Sequence, residues 1–94
     1  MVSNYKIDLS KNINLKVFKI NSSNYNVVLD LTKNTNLEIL EFCSFSLYSC
    51  KLNLSNNVNL QELILPVSFN DDLDLLNCQK FKKNVINKNY KKMN

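Results

Sequence analysis

Residues Leu29–Leu40 read LDLTKNTNLEIL, and the chain repeats that phrase on either side with small changes. Ile7–Phe18 read IDLSKNINLKVF, Leu52–Leu63 read LNLSNNVNLQEL, and Leu73–Asn84 carry an eroded fourth copy, LDLLNCQKFKKN. Aligned leucines fall at Leu15, Leu37 and Leu60, with Phe81 in the fourth copy, so successive copies are displaced by 22, 23 and 21 residues. Asp8, Asp30, Asn53 and Asp74 keep the same displacements. Two columns sharing one irregular register mark a structural repeat, and a period of this length belongs to chains that stack one short unit on the next.

Each copy divides into two short apolar–polar alternations, the pattern of a half-buried strand. The first is the triplet IDL, LDL, LNL or LDL; the second follows the aligned leucine as KVFKI, EILEF, QELIL or KKNVI. Between them, in the first three copies, lies Ser-x-Asn-x-Asn, with Thr32 in place of serine in the second. Such residues bend a chain by bonding their own backbone, and asparagine tolerates the left-handed conformation. The chain has no glycine, so asparagine takes that role. The phrase therefore predicts a turn between two strands, and a unit that covers its apolar side only when stacked. Stacking would superpose Asn12, Asn34 and Asn57, and likewise Asn14, Asn36 and Asn59. Each side-chain amide is expected to donate to one copy and accept from the next, satisfying turn backbone groups that cannot pair within their own copy.

The 94 residues suit one small domain, and 45% hydrophobic content is ordinary for a folded chain. Charge is segregated. Residues 1–79 hold six lysines against all eight acids, whereas residues 80–94 hold six lysines and no acid. Any affinity for polyanions thus belongs to the tail, not the body. Cys43, Cys50 and Cys78 lack metal-ligand spacing, and histidine is absent, so neither a metal site nor a cofactor is expected. The opening MVSNYKIDLS lacks the apolar core of a signal peptide, and no segment reaches the roughly 20 apolar residues that span a bilayer. These features predict a reducing, cytoplasmic setting with free thiols. A Cys43–Cys50 bridge around SFSLYS would need an oxidising one, and Phe45, Leu47 and Tyr48 are read there as filling the edge of a core.

The combined pattern, LxxLxL beside LDLSxNxNL, resembles the leucine-rich repeat family in its short variant of about 21–23 residues. The stretch LPVSFNDDLDL, Leu65–Leu75, resembles the related FNIP-type repeat through its proline and Phe-Asn pair. The resemblance implies a mainly β solenoid of about four rungs over residues 1–86, with a parallel sheet and an extended, turn-rich back face. Residues 87–94 form a basic tail. It also implies a protein-binding role through the open sheet face. The chain departs from the family where Ser23, Phe45 and Ser68 replace a ladder asparagine, and where Cys78 and Asn84 occupy an asparagine and a core column.

Catalysis is not expected. Without glycine there is no phosphate-cradling loop, and without histidine the usual base for a serine or cysteine nucleophile is missing. Asp71, Asp72 and Asp74, and the pair Glu38 and Glu41, read as solvated carboxylates. The outward columns of the second alternation are Lys16/Glu38/Gln61/Lys82, Val17/Ile39/Glu62/Lys83 and Lys19/Glu41/Ile64/Val85. Opposite charges meet at Lys16–Glu38, Lys19–Glu41 and Glu62–Lys83, which would help fix register. Val17, Lys19, Ile39, Glu41, Glu62 and Ile64 form the candidate protein-binding patch. The alternative site is the tail, where Lys82, Lys83, Lys88, Lys91 and Lys92 lie among Phe81 and Tyr90 and would suit weak, salt-sensitive nucleic-acid binding. A purely structural or vestigial repeat, and a fragment or decayed paralogue of a longer array, are further readings. No membrane contact is expected, and the uncapped ends suggest self-association.

Overall fold

A computed structural model describes residues 3–21, 25–43, 52–65 and 73–85. The described residues form six strands: β1 (Ser3–Ile7), β2 (Val17–Asn21), β3 (Tyr25–Leu29), β4 (Ile39–Cys43), β5 (Glu62–Ile64) and β6 (Lys83–Val85). They form two parallel sheets, one ordered β2-β4-β5-β6 and the other pairing β1 with β3. The described residues contain no helix, hence none long and apolar enough to cross a membrane.

The larger sheet carries the displacements of the repeat. Val17 pairs with Ile39, Ile39 with Glu62 and Glu62 with Lys83, at intervals of 22, 23 and 21 residues. Alternation sends Leu40, Phe42, Leu63 and Leu65 into the core, and Leu37 and Leu60 join them from the turns. Full burial of such a side chain contributes about 1.5–3 kcal/mol. Burial is graded along the chain. The second and third copies bury all their leucines but the half-buried Leu52, whereas Leu9, Leu15, Phe18 and Ile20 at one end, and Leu73, Leu75 and Phe81 at the other, are half-buried.

The triplets IDL, LDL, LNL and LDL are not strands, contrary to the alternation. β1 and β3 end on the first residue of their triplets, Ile7 and Leu29, and residues 52–54 and 73–75 are unpaired. The central residue explains why. An oxygen of Asp8, Asp30, Asn53 or Asp74 accepts the backbone N–H two residues on, from Ser10, Thr32, Ser55 or Leu76, at 2.9–3.1 Å. This side-chain bond starts a turn where a strand would have needed the same N–H for its ladder. Thr32 and Ser55 add hydroxyl bonds of 2.6 and 2.7 Å to the same oxygens.

Asparagine then ties copy to copy, donating to turn backbone as expected but not accepting. Nδ2 of Asn34 donates to the carbonyls of Leu9 (3.1 Å) and Asn12 (2.9 Å). Nδ2 of Asn57 repeats this to Leu31 (3.1 Å) and Asn34 (3.0 Å). The amides therefore bond the previous copy's backbone and not each other. They act only as donors: Oδ1 of Asn34 and of Asn57 is buried without a partner. A second column behaves alike, with Asn36 donating to Ile13 O and Asn59 to Thr35 O.

Candidate protein-interaction face

Each residue of the candidate face is placed by the turn preceding its strand. In the second copy Asn34 N–H donates to Leu31 O and Leu37 N–H donates to Asn34 O, both at 3.1 Å. The same double turn recurs at Asn12/Leu15, Asn57/Leu60 and Cys78/Phe81. The chain leaves each turn through the aligned core residue and enters the sheet two residues later. Because the asparagine amides lock these turns together, the strands that follow start in register.

That register brings the six face residues together. Val17, Ile39 and Glu62 lie side by side across β2, β4 and β5, and Lys19, Glu41 and Ile64 form the next row. They alternate with the core-facing Phe18, Leu40 and Leu63, so they point away from the core. Val17 and Lys19 are exposed, while Ile39, Glu41, Glu62 and Ile64 are half-buried by their neighbours. The apolar pair Val17–Ile39 thus sits at one edge of the sheet, with Ile64 diagonal to Ile39 and charged residues around them.

Lys19 Nζ lies 4.0 Å from Glu41 Oε1, with the lysine side chain 59% exposed. So long and exposed a contact contributes about 0–1 kcal/mol. The expected Lys16–Glu38 ion pair does not form. Lys16 O instead accepts both Glu38 N–H (2.7 Å) and Ile39 N–H (3.0 Å). The backbone supplies the cross-copy tie, and an exposed ammonium gains little by leaving water. Glu62 and Lys83 are register partners, but the Lys83 side chain lies outside the described residues.

Of the alternative tail site, Lys82 is exposed and donates its N–H to Gln61 O at 2.8 Å. Lys88, Lys91 and Lys92 lie outside the described residues, as do Ser23, Phe45, Leu47, Tyr48, Cys50, Ser68, Asp71 and Asp72, and the side chain of Cys43. Cys78 is a buried free thiol. Burial, and secondarily the charge of Asp74, pushes it above the ordinary thiol value.

Three features escaped sequence reasoning. A third amide column links Asn56 to Thr32 O and Asn77 to Ser55 O, each at 3.0 Å. Its only signal was asparagine recurring in the third and fourth copies where Lys11 and Lys33 stand in the others. Lys80 Nζ donates to Asn59 Oδ1 at 2.8 Å, standing in for an asparagine of the outer column. Leu76 replaces the turn serine and is 83% exposed.

Open grooves run along the turns. One of about 590 Å3 lies between Val58, Asn59, Gln79 and Lys80. A smaller one, about 240 Å3, lies between Lys6, Asp8, Asp30 and Lys33. Neither is lined by the six residues of the sheet face. No family model matches the chain, and no curated protein or solved structure matches it either.

Proposed function

We propose that the chain is a short leucine-rich-repeat stack, a β solenoid of about four rungs, that binds another protein through the open face of β2-β4-β5. In this reading it is a non-enzymatic module working in a reducing, cytoplasmic setting. Residues 1–86 form the stack and residues 87–94 a basic tail. The repeat reading is supported by one displacement series, shared by the aligned leucines, the turn bonds, the asparagine amides and the strand register.

One observation carries the binding reading: Val17 remains 45% exposed beside Ile39, on a sheet face that the core does not use. A flat surface with an apolar centre and charged surroundings suits a protein partner, since the exposed apolar area gives affinity and the charges give orientation. Lys19 and Glu41 on one side and Glu62 on the other would set that orientation.

The experiment is partner capture with Val17→Asp and Ile39→Lys beside a chain lacking residues 88–94, each first shown to keep the parent's circular dichroism. Face binding predicts that both substitutions abolish capture and the truncation leaves it intact. Nucleic-acid binding through the tail predicts the reverse. The truncation would then weaken binding and shrink its salt slope by roughly 0.9 per lost phosphate contact on duplex DNA. Folded face variants that keep every partner of the parent would refute the face.

A further inference from the structure

The asparagine amides point one way along the chain, and this leaves the first and fourth of the described copies complementary. Every inner amide donates backward, to carbonyls of the preceding copy. Asn12 and Asn14, in the first copy, are exposed and make no side-chain bond among the described residues. At the other end, the carbonyls of Leu75 and Cys78 accept their own turn bonds, from Cys78 and Phe81 N–H, and no amide among the described residues. By the register of the internal copies, these two carbonyls are the positions an asparagine of a following copy would reach, and Gln79 O corresponds to Ile13 O and Thr35 O in the outer column. One end presents unmatched donors, and the other presents the matching acceptors.

The same ends expose the flanks of the core. Leu9, Leu15, Phe18 and Ile20 are half-buried at the donor end, and Leu75 and Phe81 at the acceptor end. Among the described residues β2 and β6 are the two edges of the larger sheet, so neither has a neighbouring strand on its outer side. We propose that a second copy of this chain docks head to tail, its first copy of the phrase stacking on the fourth copy of the other molecule. Asn12 Nδ2 then donates to Leu75 O and Cys78 O across the junction, and Asn14 Nδ2 donates to Gln79 O. Leu9 packs on Leu75 and Leu15 on Phe81, and β2 extends the sheet beyond β6. The junction repeats the interface that already joins the second and third copies.

Like charges oppose this junction. Lys16 would lie over Lys82, and Asp8 over Asp74. Association should therefore strengthen as salt screens these pairs, the opposite of a contact held by ion pairs. A head-to-tail contact is heterologous, so each added molecule leaves a new free end, and growth does not stop at a dimer. The sheet face around Ile39 stays open throughout, so this contact stands apart from face binding.

Sedimentation equilibrium of the full chain, under reducing conditions and over a wide concentration series, tests the proposal. The mass average should rise reversibly past the dimer without a plateau and rise further with added salt. Asn12→Arg, at an exposed position, should stay monomeric alone. Mixed with parent in less than equal amount, it should shorten the parent's assemblies, because its intact acceptor end still captures a donor end. Lys82→Glu replaces repulsion with attraction and should tighten association roughly threefold or more. This variant keeps the test decisive even if Asn12→Arg does not fold. Ile39→Lys should associate as the parent does. A monomer at every concentration, a plateau at dimer mass, or assembly indifferent to both Asn12→Arg and Lys82→Glu would overturn the proposal.

Discussion

The side-chain amide of Asn57 donates at 3.0 Å to the main-chain carbonyl of Asn34, its counterpart one copy earlier. Because the acceptor is backbone, this bond survives any change to the Asn34 side chain. Asn34→Ala removes only what Asn34 itself donates, the bonds to Leu9 O and Asn12 O.

That asymmetry gives the first prediction. Asn34→Ala should destabilise by about 1–3 kcal/mol, because two carbonyls lose a donor at a buried site. The loss should sit in the lower half of that range, since the substitution also removes an unpartnered buried oxygen. Asn12→Ala is the same chemical change at an exposed residue with no side-chain bond, and should be nearly neutral in monomeric protein. Urea midpoints of the two variants, compared at one low concentration, check this. Equal losses would mean that side-chain composition, not the amide bonds, sets stability.

The fourth copy should be repairable. Cys78 stands in the inner asparagine column, and its Sγ reaches Leu54 O only at 3.7 Å. Asn57 O accepts the turn bond from Leu60 and no amide among the described residues. Cys78→Asn would supply Nδ2 to both carbonyls and should stabilise by about 0.5–1.5 kcal/mol. Leu76→Ser would restore the hydroxyl that Thr32 and Ser55 donate within their turns. It also removes the most exposed large apolar side chain among the described residues. Both gains should appear as raised urea midpoints with an unchanged slope.

Cys78 also predicts a pH response. Its thiol is raised above the ordinary value of 9.0, first by burial and then by the charge of Asp74. The folded state holds this proton more tightly than the unfolded state does. The Cys78 contribution to stability is therefore intact below about pH 9 and falls as pH rises through the unfolded and then the folded value. Cys78→Ala should flatten that alkaline limb. In native protein near neutral pH, Cys78 should react with a thiol reagent far more slowly than after unfolding, a difference that mass spectrometry of labelled peptides resolves.

Much of this arrangement was legible in the sequence, and what escaped did so for specific reasons. The pairing of Val17 with Ile39 and Glu62 could be read from aligned leucines, because one displacement governs every residue of a copy. The triplets misled because Asp8 and Asp30 sit at the polar position of an alternating pattern. A carboxylate there bonds the backbone two residues on, which a periodicity count does not register. The asparagine columns were visible as repetition, and their donation to turn backbone of the neighbouring copy followed from it; that Oδ1 of Asn34 and Asn57 would accept nothing did not, because repetition does not encode how the turns pack. Lys16–Glu38 had matching charges at matching positions, yet two backbone N–H groups take the Lys16 carbonyl and the side chain stays in solvent. The burial of Ile39 and Ile64 beside the exposed Val17 depends on neighbouring side-chain packing, which no single column encodes.

The final prediction uses Asn53 as a natural control for Asp30. Asp30 Oδ1 accepts the Thr32 hydroxyl at 2.6 Å and the Thr32 N–H at 2.9 Å. Asn53 Oδ1 accepts the same two groups from Ser55, at 2.7 and 3.1 Å, without a charge. The Thr32 hydroxyl and then its N–H hold the Asp30 carboxyl below its ordinary 3.8, opposed by desolvation and by Asp8 and helped by Lys33. The ionised form is thus favoured by folding. Its contribution is present above pH 3.8 and is lost as pH falls through the lowered folded value. Asp30→Asn should keep the turn, leave the neutral-pH midpoint near the parent's, and reduce the loss of stability on acidification. Asp30→Ala should lower the midpoint at neutral pH, since no acceptor remains for Thr32. Asp8, one copy away, raises the Asp30 value by repulsion. Asp8→Asn should therefore move the Asp30 carboxyl titration, followed by NMR, further down. An unmoved or rising Asp30 value in that variant would show that the two carboxylates do not share a field.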